Sequence, residues 1–187
     1  MRKFGMGVVC ALGLVSTGLL AQDAKAGKKG EPAAPVMSAE EAAMMAAMEK
    51  AASPNENHKK FEAFVGSWNA ALKMWMTPGQ PPMEMQSTSE IKMIMGGRYM
   101  VQKHKGEFGG QPFEGMGITG YDNVQGKTTG IWIDNMGTGI MMGSGTVSAD
   151  GKSWASTMTG PDPMTGGMMT MRDETTVVDA NTFVVKM

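Results

Sequence analysis

The stretch Phe113–Met142, FEGMGITGYDNVQGKTTGIWIDNMGTGIMM, decides the fold class. A helix through it would lose about 1 kcal/mol at each of Gly115, Gly117, Gly120, Gly126, Gly130, Gly137 and Gly139. It reads instead as three short strands joined by two tight, glycine-bearing turns, an antiparallel meander in which glycine permits bends and close backbone approach.

The same alternation continues on both sides. Downstream, Ile140–Ser148 turns at Ala149-Asp150-Gly151, where Asp-Gly is a strong hairpin signal. Ser153–Thr159 breaks at Pro161-Asp162-Pro163, Met168–Asp179 runs to Ala180-Asn181, and Thr182–Met187 reads as the start of a last strand, cut short. Upstream, Arg98–Phe108 follows a Gly96-Gly97 hairpin turn. Met83–Met95 alternates apolar and polar residues, and so does Trp68–Met76; Thr77–Pro82 between them suits only a turn. No interval has room for a crossover helix, so a parallel sheet is excluded. About nine strands at roughly 8–12-residue spacing in meander order predict an all-β, antiparallel up-and-down barrel of about 8–10 strands over residues 56–187. Two short helices are expected before it. Ser38-Ala39-Glu40-Glu41 has the form of a capping box and opens a Met- and Ala-rich helix over 38–52. Glu56–Val65 has one apolar side made by Phe61, Phe64 and Val65 and stops at Gly66.

Several motifs in order carry a resemblance. Gly66-Ser67-Trp68 after a short helix is similar to the Gly-x-Trp entry of lipocalin-like barrels, in which the tryptophan plugs one end. Met74-Trp75-Met76-x-Pro-Gly-x-Pro-Pro, Met95-Gly96-Gly97-Arg98-Tyr99, Gly120-Tyr121-Asp122-Asn123 and Trp132-Ile133-Asp134-Asn135-Met136-Gly137 stand in the order of the lipocalin-like family catalogued as domain of unknown function 1579. The resemblance covers about His58 to Met187. It implies a calycin-type barrel in bacterial, often exported, proteins, with a further closing strand, and it implies no activity.

The first residues have the form of an export signal. Met1-Arg2-Lys3 is followed by the uncharged apolar run Phe4–Leu20, with small residues at Ala21 and again at Ala24-Lys25-Ala26. Cleavage after residue 21, or as late as 26, is expected. Residues 22–37, rich in Lys, Ala, Gly and Pro, read as a solvated linker. These features predict a periplasmic or extracellular protein without stable membrane insertion once the signal is removed. Cys10 lies inside the apolar run, so the mature chain would hold no thiol, disulfide or cysteine metal site. Net charge is −1 among 187 residues, which leaves no footprint for nucleic acid.

Catalysis finds little support: His58 and His104 stand in no nucleophile context, and no cofactor is indicated. The reading is a non-catalytic barrel binding a small amphipathic or acidic ligand. Arg98 and Arg172, the scarce arginines, offer the planar fork that grips an acid. Tyr121, Trp132, Asp134 and Asn135 cluster at strand ends where a barrel mouth forms, although Asp and Asn there also satisfy turn backbones. The 23 methionines supply an alternative. Met74 and Met76, Met83 and Met85, Met93 and Met95, and Met169 and Met171 each set two thioethers on one strand face, and soft thioethers suit Cu(I). Trp75 stands beside the first pair, where its ring could meet a cation. Methionine is also a flexible core filler, in the places other barrels give to Leu, Ile or Val.

Overall fold

Alternation of half-buried and exposed residues runs through about half of the strands of the computed structural model, which describes residues 37–187 except 76 and 78. The expected leader and most of the linker, with Met76, lie outside the described residues. The strands are β1 (Gly66–Met74), β2 (Met83–Ile94), β3 (Tyr99–Phe108), β4 (Gln111–Asp122), β5 (Lys127–Asp134), β6 (Met141–Val147), β7 (Ser153–Pro161), β8 (Met168–Asp179) and β9 (Thr182–Lys186). They form one sheet in strict sequence order, every neighbour antiparallel. The meander follows from the turns. Gly96, Gly97, Gly126 and Gly151 all adopt positive φ at hairpin loops, a conformation that costs glycine little.

The closed barrel expected from the sequence does not form. The two edges of the sheet stand 9 Å apart, about twice the roughly 4.8 Å between paired strands, so no ladder of hydrogen bonds joins β1 to β9. The result is an open half-barrel. Period-two alternation reports which face a residue takes, but closure depends on strand number, tilt and stagger, which alternation does not encode. Rings bridge part of the gap instead: Trp68 on β1 and Phe183 on β9 meet edge-to-face with centroids 4.6 Å apart.

Among the described residues there is also one helix rather than the two expected. Helix α1 (Ala39–Ala52) carries the expected capping box, Ser38 accepting from the Glu41 N–H and Glu41 from the Ser38 N–H. Over 56–65 the expected second helix shrinks to a single turn, Glu56–Lys59, that tightens into the 3-10 segment Lys60–Phe64. The cause is the spacing of Phe61 and Phe64. Residues three apart eclipse in a 3-10 turn, so both rings reach the same apolar patch: Phe61 packs tilted and Phe64 edge-on against Trp154, and Phe64 also meets Phe183. This aromatic stopper is most of the core. The only fully buried large side chain among the described residues is Phe61, and the buried apolar residues are Phe61, Phe64 and Ile91.

Candidate functional site

Strand register sorts the side chains of the half-barrel into two faces. The inner face is the one the stopper packs on, through Trp68, Trp154 and Phe183. The outer face carries the strand lysines, and two of them form ion pairs with the glutamate opposite: Lys73 with Glu84 and Lys105 with Glu114, each at 2.9 Å. Such exposed pairs contribute little to stability. The inner face holds carboxylates without cations. Asp134 and Asp173 point there, while the lysines and arginines of the strands alternate onto the other side.

At the end away from the stopper the inner face is rich in thioethers. Met141 stands opposite Trp132 on β5, and Met158 on β7 stands opposite both Gly143 on β6 and Met171 on β8. Met169 lies opposite Gly160. A methyl group at Gly160 would come within 2.6 Å of Met141 Cγ, so that methionine lies over the glycine of the neighbouring strand; at Gly143 the β7 backbone itself comes closest, through Thr157 O and Met158 Cα, with Met158 Cγ 2.9 Å away. Met141, Met158, Met169 and Met171 thereby occupy one continuous patch on three adjacent strands. Asp173, hydrogen-bonded to Ser156, is two residues along β8 from Met171. A second, smaller group forms on β1 and β2, where Met74 is opposite Met83 and Leu72 opposite Met85.

Next to the larger patch, Trp132 lies flat on a floor without side chains. A methyl group at Gly115 would come within 2.8 Å of Trp132 Cη2, and one at Gly117 within 3.2 Å of its Cε3. Its indole N–H donates to Asp134 Oδ2 at 2.8 Å, and Asp134 Oδ1 accepts the Met136 N–H. His104 stands beside it, ring centroids 6.5 Å apart, with Phe113 5.9 Å from His104 on the other side. His104 Nδ1 and Ser89 Oγ are 2.7 Å apart, and Gln102 donates to the same oxygen. Burial lowers the His104 pKa from the usual 6.5 and keeps the ring neutral. One residue pair away on the same face, the buried Ser87 hydroxyl has no partner.

Of the residues singled out from the sequence, the structure brings Trp132 and Asp134 together on the inner face. Tyr121 is on that face at the stopper, edge-on to His58 at 5.8 Å. Asn135 turns outward, donating to Pro112 O and accepting from Glu114 N across the β4–β5 pair. Arg98 sits outside the trough, its guanidinium donating to Ala52 O at the end of α1 and to Met95 O. Arg172 is exposed on the outer face opposite Thr157. Of the methionine pairs, Met74, Met83 and Met85 share the inner face; Met93 lies opposite Met100 near the stopper, and Met95 is in the turn at positive φ. Of the patch, the Met169 and Met171 pair was legible on its own strand, whereas its union with Met141 and Met158 was not, because the four come from three strands. The signal was present as the glycines two residues from Met141 and Met158.

Among the described residues no three His, Cys, Asp or Glu side chains converge into a metal-binding group. Nor is any described helix long and apolar enough to cross a membrane.

A curved antiparallel meander stoppered at one end by a helical turn is consistent with a calycin-like fold. Residues 53–187 match the family model described as protein of unknown function, DUF1579, and the chain belongs to that family. No curated protein matches it.

Proposed function

We propose that the protein binds Cu(I) through the thioethers of Met141, Met158, Met169 and Met171 on the open half of the inner face. The single observation that carries this is the register, which lays Met141 over Gly160 beside Met169 and sets Met158 opposite Met171, bringing soft ligands from three strands into one patch. Neutral thioethers select a soft monovalent ion over harder divalent ones. The carboxylates Asp134 and Asp173 on the same face favour a cation electrostatically, and no lysine or arginine competes from the strands. The expected leader, and the absence of cysteine from the chain after it, fit a place outside the cytoplasm, where methionine takes over the role of soft ligand.

A competition titration against a chromogenic Cu(I) chelator tests the reading. Leucine matches methionine in volume, so Met158→Leu with Met171→Leu should cost less than about 1.5 kcal/mol of stability. The pair should nevertheless weaken Cu(I) binding at least about tenfold, the expected consequence of halving the donor set. Equal affinity in the wild type and the double variant would overturn the assignment.

A second reading, a small organic molecule held in the curved sheet, is favoured by one specific feature. Trp132 has one ring face against the Gly115–Gly117 backbone and so presents the other to the trough.

A further inference from the structure

The geometry points to a site for a small organic ammonium ion over the free face of Trp132, with Asp134 as its counter-charge. The inference rests on the second reading above and deepens it by naming the ligand class. Three features carry it.

First, the ring is held in place. Its benzene edge lies on Gly115, where any side chain would collide with it, and its Cε3 stands over Gly117, where a methyl group would crowd it at 3.2 Å. Its N–H is fixed by the 2.8 Å bond to Asp134 Oδ2. An aromatic surface held in one orientation loses little freedom when a ligand settles on it.

Second, the electrostatics have one sign. A tryptophan face attracts a cation through its quadrupole, and an indole N–H that donates to a carboxylate makes the ring more electron-rich. The Asp134 carboxyl oxygens keep lone pairs beyond those taken by Trp132 and Met136. Every lysine and arginine on the strands lies on the outer face, so an acidic ligand would enter a trough that offers two carboxylates and no cation. The acidic ligand expected from Arg98 and Arg172 therefore finds neither arginine inside.

Third, the walls are apolar and soft. Phe113 and the neutral His104 ring stand on one side and Met141 on the other. They suit the methyl or methylene groups of an alkylammonium better than a strongly hydrated metal ion.

The experiment uses the mature full-length chain and two probes of the same shape, choline and its uncharged isostere 3,3-dimethylbutan-1-ol. Binding is followed by the Trp132 indole N–H resonance, assigned with Trp132→Phe. Choline is expected to shift that resonance saturably, and the alcohol to bind about tenfold more weakly, the size a single desolvated cation–π contact supplies. Asp134→Asn should weaken choline severalfold and leave the alcohol unchanged. Equal binding of the two probes, or choline binding indifferent to Asp134→Asn, would overturn the ammonium assignment while leaving a neutral-ligand trough standing. No shift from either probe would overturn both. Ag(I) added to the same sample reports on the methionine patch separately, so the copper reading stands or falls independently.

Discussion

At the scale of single residues, a few side chains carry disproportionate weight because so little is fully buried. Phe61 is 0% exposed, and its partners Phe64 and Trp154 complete the stopper. Phe61→Ala should destabilise by about 3–5 kcal/mol, a large share of the roughly 5–15 kcal/mol a domain has. Urea unfolding checks this; a loss under about 1 kcal/mol would mean that the stopper is not the core. The two histidines set a pH dependence. His58 is held below its ordinary 6.5 chiefly by burial, with the Arg98 charge acting the same way against a Tyr121 backbone hydrogen bond, and His104 is lowered by burial alone. As pH falls below 6.5 the unfolded chain takes up protons that the folded chain refuses, so stability is lost between 6.5 and the depressed folded values. Below those values the two groups cost nothing further. The urea midpoint should drop between about pH 7.5 and 5.5, and His58→Gln with His104→Gln should flatten that slope. An unchanged slope in the double variant would put the dependence elsewhere. At this scale the sequence exposed Trp132 and Asp134 well, because an aromatic and a carboxylate two apart at a strand end share a face. It misled on Arg98, for nothing local in the sequence shows that its fork will meet a helix terminus 46 positions earlier.

At the scale of elements, α1 is a helix attached by one end. None of its residues is buried, and the capping box fixes only its start. Its final carbonyls are collected by the β4–β5 turn: Asn123 donates to Lys50 O, Ala51 O and Ser53 O, and accepts from Asn55. A 14-residue helix without tertiary burial is marginal in water, so these bonds decide whether it persists. Asn123→Ala should raise amide exchange throughout Ala39–Ala52 towards the rate of free peptide, while exchange in β2 to β8 stays slow. Unchanged protection of α1 would show that its own propensity suffices. The strands themselves were legible because alternation and turn residues agree along most of their length. Less visible was why glycines occur inside β4, β6 and β7. Gly115, Gly117, Gly143 and Gly160 are not turn residues; at Gly115, Gly117 and Gly160 a tryptophan or a methionine from the next strand lies across the backbone, and at Gly143 the neighbouring backbone itself approaches closely. Such a role depends on register, and register is a relation between strands.

At the scale of the whole molecule, the open half-barrel determines what the protein can hold. A closed barrel of this composition would fill with its own methionines; an open one leaves the inner face half-exposed, with thioethers and carboxylates accessible at the end away from the stopper. Closure was the one global property that local alternation could not convey. The 9 Å between the edges is a sum of small strand twists and staggers over nine strands. The central claim is that a few methionines, chosen by register rather than by exposure, form a soft-metal site. Methionine-methyl carbon-13 spectra during titration with Ag(I), a redox-inert stand-in for Cu(I), test it most directly. The account predicts that the methyls of Met141, Met158, Met169 and Met171 shift together at the first equivalent, ahead of more exposed residues such as Met44, Met48 and Met164. Shifts spread over the methionines in proportion to exposure, or none in those four, would contradict it.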